Sequence, residues 1–326
     1  MTKIVTSIAA MQLVEQGKVE LDHDLSELLP EMAKIPILQQ DGKLVEAKVG
    51  ITLRHLLTHT AGFGYPNRTY KLSDKFDASE WKYDDFPRQF ESGTEYLYGT
   101  NTDWAGKLVE KVSGMTLERY FKKKIFKPLG IKSTYFNVPK KEYKRIVSMG
   151  NRGADGKGPL KEIDGDEVSP SRYPKEKLTN FSGGGGLFST PSDFTKILQC
   201  VLNYGSYKDQ RILKKETVQL MMQNHIGDIS LNPEGWHYDP ATCCNFNGLM
   251  DKNSKWGLAT LIDNTPESYG RKKGALVWGG YRNTYFYIDH KSGIAASIYS
   301  QHLPFNHPST ISLFEKFSEV FYKNFK

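Results

Sequence analysis

The sequence predicts an α/β (α+β) protein, with an antiparallel sheet flanked by helices plus an all-helical subdomain. Two observations predict it. Near the C-terminus, Ala275–Trp278, Thr284–Ile288 and Ile294–Tyr299 are rich in apolar, aromatic and β-branched residues, the pattern of strands. Upstream, apolar residues recur three and four apart in segments closed by Gly or Pro, the pattern of helices.

Composition narrows the class. The chain has 326 residues, 38% hydrophobic and 12% aromatic, enough for a sizeable core. Its 29 glycines and 15 prolines are close to average usage, which excludes collagen-like and low-complexity chains. A net charge of +7 is too modest to mark a nucleic-acid partner. Cys200, Cys243 and Cys244 are too few for a disulfide framework. No apolar run reaches the roughly 18 residues of a transmembrane segment.

The elements follow in order. Ile4, Ile8 and Met11 lie at helical spacing with Gly17 just past the end, so residues 1–17 predict an amphipathic helix rather than a secretory signal. No capping residue precedes that helix, which leads us to expect residues ahead of Met1. Residues 21–50 are short segments broken at Pro30 and Pro36. Thr52 caps a helix with Leu53, Leu56 and Leu57 on one face, stopped by Gly62. Residues 63–95 read as a long loop that gates a pocket. Asp103–Val112 and Thr116–Phe126 are helical, ended at Ser113-Gly114 and at Pro128. Residues 139–180 are loop-rich. The Gly183–Gly186 run is a tight turn before a helix over 191–202, capped by Thr190 or Ser192. Asp289–Gly293 joins two strands as a hairpin. Residues 309–326 form a closing helix with Phe314, Phe317, Phe321 and Phe325 on one face.

Several chemistries are excluded. There is no G-x-S-x-G nucleophile elbow. His55 and His59 lack the acidic partner of a zinc helix, and Cys243-Cys244 beside His237 is too crowded for a tetrahedral site. The glycine run lacks the Lys-Ser/Thr of a phosphate cradle. The clusters Lys122–Lys124 and Arg271–Lys273 read as solvated faces.

Four stretches stand in characteristic order: Met1-Thr2-Lys3-Ile4-Val5-Thr6-Ser7, Leu56-Leu57-Thr58-His59-Thr60-Ala61-Gly62, Tyr98-Gly99-Thr100-Asn101 and Trp278-Gly279-Gly280. Together with Ser182–Phe188 and Phe126-Lys127-Pro128-Leu129-Gly130-Ile131, they resemble the serine β-lactamase-related family over nearly the whole chain. That family includes class C β-lactamases, D-Ala-D-Ala peptidases, related esterases and fungal acyltransferases of the lovastatin-pathway type. The resemblance implies one β-lactamase/transpeptidase-like domain over 1–326. Its helical subdomain would span roughly 20–245, and its sheet subdomain roughly 246–326 plus the helix 1–17. It implies no cofactor and no metal.

The family motif S-x-x-K opens a helix, with serine and lysine on one face. A helix N-terminus and partial burial both favour a neutral amine, as a proton acceptor must be. Lys3 fits the motif's lysine, and the serine falls immediately before Met1. Ser7 cannot replace it, because Ala10 stands where its lysine should be. The intact Lys3 and Tyr98 favour a nucleophile upstream over an inactive relative kept for binding or regulation. In the family the upstream part also supplies a helix and two strands. Without those strands the Ile294–Tyr299 strand is expected to carry an unpaired edge.

Tyr98 fits the tyrosine of the Y-x-N element and is expected to shuttle protons. The third position is Thr100, with Asn101 one residue late, which argues against a strict β-lactamase. Trp278-Gly279-Gly280 replaces the K-T-G strand, whose lysine helps bind a substrate carboxylate. Tryptophan offers a flat apolar wall instead. The expected substrate is therefore a small uncharged acyl compound: an ester, thioester or lactone. Arg282 or Lys273 could restore a cation, which keeps a β-lactamase or D-Ala-D-Ala carboxypeptidase reading open. The resemblance implies oxyanion-hole N–H groups on Tyr281 and on the upstream serine. His59 is read as structural.

Overall fold

The computed structural model describes residues 1–65, 77, 81–82, 85–163, 176–231, 240–246, 248–265 and 268–324. Residues 66–76, 78–80 and 83–84 of the expected gating loop, and His237, lie outside these residues.

The N-terminal half is helical. Helix α1 (Thr2–Glu15) is followed by α2 (Pro30–Ala33), a short hairpin of β1 (Ile37–Leu38) and β2 (Leu44–Val45), and α3 (Leu53–Leu57). Next come α4 (Asn101–Ser113) and α5 (Leu117–Phe121), which runs into a π turn over Lys122–Phe126. Helix α1 was expected to be amphipathic. Instead Thr2 through Leu13 are all buried, with α4 packed against them. Its polar residues are tolerated because they find partners: Thr6 Oγ1 donates to the Gly183 carbonyl at 2.6 Å and Gln12 Nε2 to the Ile212 carbonyl at 2.9 Å. Gly17 takes the left-handed conformation past the helix end (φ +65°), as expected.

Thr52 caps α3 reciprocally with His55: Thr52 Oγ1 accepts from His55 N, and His55 Nδ1 accepts from Thr52 N, both at 3.2 Å. The helix ends at Leu57, five residues before Gly62. Thr58 Oγ1 bonds back to the Arg54 carbonyl, and His59 turns left-handed (φ +60°). Gly114 ends α4 and Thr116 caps α5. Lys122, Lys123 and Lys124 are exposed, as read from sequence.

After a 3-10 turn at Lys140–Arg145 come β3 (Gly150–Asn151) and β4 (Lys161–Glu162). Then follow α6 (Pro191–Leu202), the pair β5 (Ser206–Tyr207) and β6 (Gln210–Arg211), and α7 (Lys215–Met221). Thr190, not Ser192, caps α6 by accepting from Asp193 N at 3.3 Å.

The main sheet is antiparallel with five strands: β7 (Lys255–Trp256), β8 (Leu261–Asp263), β9 (Ala275–Gly280), β10 (Thr284–Asp289) and β11 (Ile294–Ile298). Their spatial order is 11-10-9-8-7. Strands β7 and β8 were not expected; two and three residues are too short to show an alternation. Trp278 pairs with Phe286 across β9 and β10. Alternation along β10 sends Phe286 towards Phe194 on α6, and Tyr285 and Tyr287 towards Phe314 of α8 (Pro308–Asn324). The sheet is thus sandwiched between α6 and α8. Strand β11 is one of the two edge strands of this sheet among the described residues, half-buried from Ala295 to Ile298. Strand β12 (His302–Leu303) leaves it to pair with β3.

Two expectations are corrected. The buried stripe of α8 is Ile311, Phe314 and Ser318, with Phe317 and Phe321 half-buried; Phe325 lies outside the described residues. Arg271 is not on a solvated face. It is 4% exposed, bonds Asp263 and Ser318, and lies over the rings of Tyr287 and Phe314. Lys272 and Lys273 are exposed.

Candidate active site

A cavity of about 680 Å³ opens where the N-terminus of α1 meets the end of β9. Met1, Lys3, Tyr65, Tyr98, Asp103 and Gly280 are among its lining residues.

Lys3 projects from the first turn of α1, and its amine is fixed at two points. Nζ lies 2.8 Å from the Tyr65 hydroxyl and 2.8 Å from the Gly184 carbonyl, and 4.9 Å from the centre of the Tyr98 ring. Among the described residues it makes no hydrogen bond to Tyr98.

Tyr98 precedes α4 in an aromatic nest. Its ring sits 4.4 Å from His59 and 4.9 Å from Trp278. Trp278 Nε1 donates to its hydroxyl at 3.0 Å. Trp278 itself is 2% exposed and stands behind Tyr98 rather than on the cavity wall. The expected flat wall is therefore corrected: the indole acts on the cavity through the phenol. Gly279, Gly280 and Tyr281 do line it. Gly280 permits a close approach, since a Cβ there would stand 2.9 Å from Met1 Cγ. Tyr281, Arg282 and Asn283 turn the chain into β10, with Asn283 left-handed (φ +61°). Arg282 lines the cavity and Lys273 does not.

The Met1 nitrogen lies 3.4 Å from the Gly279 carbonyl. Met1 lines the cavity together with Lys3.

The glycine run does more than turn. Gly183 packs its Cα against Gly106 of α4. Gly184 offers its carbonyl to Lys3 and its N–H to Asp103 Oδ1 at 3.1 Å. A Cβ on Gly184 would stand 2.4 Å from Asp103 Oδ2 and 3.1 Å from Lys3 Nζ. Asp103 also accepts from Ser182 Oγ. Sequence reasoning missed Asp103, Ser182 and Tyr65, because no spacing links them to Lys3. The one hint was an aromatic directly after the Thr58–Gly64 turn.

Thr100 and Asn101 do not line the cavity. Asn101 Nδ2 instead donates to the carbonyls of Phe63 at 2.7 Å and Leu97 at 3.2 Å, tying the loops beneath Tyr98 together. Burial holds His59 well below its ordinary pKa, so it is a neutral packing residue. No cluster of three metal-ligating side chains occurs among the described residues.

The chain is similar to several known proteins. Monacolin J acid methylbutanoyltransferase of Aspergillus terreus is 32% identical over 100% of this chain and 81% of its own length. Lovastatin esterase of Penicillium rubens is 30% identical over 90% of this chain and 76% of its own. The solved structure of unliganded simvastatin synthase from Aspergillus terreus superposes with a TM-score of 0.82 at 29% identity, covering 100% of this chain and 82% of that one. The Beta-lactamase family matches residues 1–312, and the chain belongs to that family.

Proposed function

We propose that the protein is a serine acyltransferase or esterase working through an acyl-serine intermediate, with the nucleophile bonded to the Met1 nitrogen. One observation carries the reading: Lys3, Tyr98 and the Gly279–Tyr281 strand end converge on one cavity, with the Met1 nitrogen 3.4 Å from the Gly279 carbonyl. Lys3 takes the serine proton as the hydroxyl attacks the acyl carbonyl. Tyr98, held by Trp278, donates to the leaving oxygen. The N–H of Tyr281 and that of the serine receive the oxyanion.

The cavity favours uncharged acyl groups. The residue at the K-T-G position is an indole turned away from the substrate, so no lysine awaits a carboxylate there. Phe188, Phe194, Phe246 and Phe305 supply apolar walls. Relatives named for methylbutanoyl transfer and lovastatin hydrolysis support an ester or thioester donor. Arg282 supports a second reading, a carboxypeptidase or β-lactamase gripping a carboxylate, because it lines the same cavity. Hydrolysis of p-nitrophenyl butyrate and of a chromogenic cephalosporin by the native protein separates the two. Ester turnover without cephalosporin turnover is expected; fast cephalosporin turnover overturns the preference.

A further inference from the structure

Two phenols face Lys3, and they differ in what their oxygens do. The Tyr98 oxygen already accepts from the Trp278 indole at 3.0 Å, and Lys3 meets that ring by its face. The Tyr65 oxygen sits 2.8 Å from Lys3 Nζ. The second partner of Nζ is the Gly184 carbonyl, which can only accept. When the amine is neutral, one N–H is therefore spent on Gly184, and its lone pair is free to take the Tyr65 hydroxyl proton. Tyr65 also lines the cavity, so its oxygen is within reach of a bound alcohol or water. Of the two phenols, Tyr65 is the one whose oxygen is hydrogen-bonded to Lys3 Nζ.

From this geometry we infer that Tyr65 is the proton relay for deacylation, while Tyr98 serves the leaving group of acylation. The inference rests on the acyl-serine reading above. The acceptor's O–H proton passes to the Tyr65 oxygen as Tyr65 gives its own proton to Lys3 Nζ. The acceptor oxygen bonds the acyl carbon, the bond from that carbon to the serine oxygen breaks, and the serine oxygen takes the proton back from the Lys3 ammonium. Before this half begins, the proton that Lys3 took from the serine returns through solvent in the cavity to the phenolate of Tyr98, whose own proton left with the leaving oxygen. Lys3 is therefore neutral when Tyr65 gives it a proton. Atoms and charge then balance, and Tyr65 ends as it began. The two half-reactions thus use different phenols, and removing one hydroxyl should stall one half only.

The test is pre-steady-state turnover of p-nitrophenyl butyrate by the native full-length protein and its Tyr65→Phe, Tyr65→Leu, Tyr98→Phe and Lys3→Ala variants. Intact mass measures the trapped acyl-enzyme. Tyr65→Phe should keep the p-nitrophenol burst, slow the steady state by about 100-fold, lower KM and accumulate acyl-enzyme. Tyr65→Leu should match it, because the hydroxyl and not the ring carries the role. Tyr98→Phe should lose the burst. A Tyr65→Phe steady state within about twofold of native while Lys3→Ala is inactive overturns the relay and leaves the acyl-serine reading standing. Equal loss of burst and steady state in Tyr65→Phe also overturns it, since that marks a general packing role. Full activity in Lys3→Ala overturns the acyl-serine reading and the relay with it.

Discussion

The indole Nε1 of Trp278 donates to the hydroxyl of Tyr98 at 3.0 Å, and only the tyrosine reaches the cavity. A strand residue that faces substrate through a lysine in the K-T-G pattern here acts one residue removed, on a phenol. The bond orients the Tyr98 ring and leaves its own O–H free to donate.

Trp278→Phe keeps an aromatic filler and deletes the donor. One neutral hydrogen bond contributes about 0.5–1.5 kcal/mol, so kcat should fall by roughly three- to tenfold, with KM nearly unchanged. Ester kinetics of the variant check this. A variant with native kcat would show that the bond is incidental to turnover.

Gly184→Ala tests the contact that holds Lys3. Its methyl would overlap Asp103 Oδ2 and press on Lys3 Nζ, while φ at this position is not one that demands glycine. Displacing a general base costs about 100-fold or more in rate, and Asp103 must shift to clear the methyl. Native kinetics in this variant would contradict the placement of Lys3.

Arg271 and Asp263 form an ion pair with side chains 5% and 11% exposed, and neither lines the cavity. Removing one partner of such a pair costs about 3–5 kcal/mol. Arg271→Met should lower Tm by several degrees and leave activity per folded molecule intact. Thermal melts alongside ester kinetics separate the two effects, and an unchanged Tm would contradict the pairing.

Acid should destabilise the fold through its histidines. Burial lowers the pKa of His55, His59, His225, His290, His302 and His307. The unfolded chain, with histidine near 6.5, then binds protons that the native state does not. Stability from these groups is full above that value and is lost as pH falls below it. Lowered carboxylates such as Asp22, Asp251 and Asp289 extend the loss at still lower pH. Tm is expected to drop between pH 7.5 and 5.5; a flat profile there would contradict the neutral burial of these rings.

Much of this was legible in the sequence. The cap at Thr52, the cap of α6 narrowed to Thr190 or Ser192, and the strands of the β9–β10–β11 meander follow from local chemistry. Lys3 and Tyr98 were named through the family resemblance, by their fit to the lysine of S-x-x-K and the tyrosine of Y-x-N, and both line the cavity. What stayed hidden is set by tertiary packing. The solvated appearance of Arg271 depended on not knowing that Asp263, Ser318 and two rings surround it. Tyr65 and Lys3 stand 62 positions apart, and Lys3 and Gly184 stand 181 apart. Trp278 was read correctly as apolar, but its side chain points behind the site because Phe246 stacks on it and Tyr98 covers its nitrogen.

The central claim is a serine nucleophile beside Lys3, and one measurement tests it directly. The native protein is labelled with a fluorophosphonate, digested, and the adduct is located by peptide mass mapping, with Lys3→Ala in parallel. The account predicts one adduct, on a serine joined to Met1, and none in Lys3→Ala. An adduct on Ser182 or another residue, or no adduct on the native protein, would contradict it.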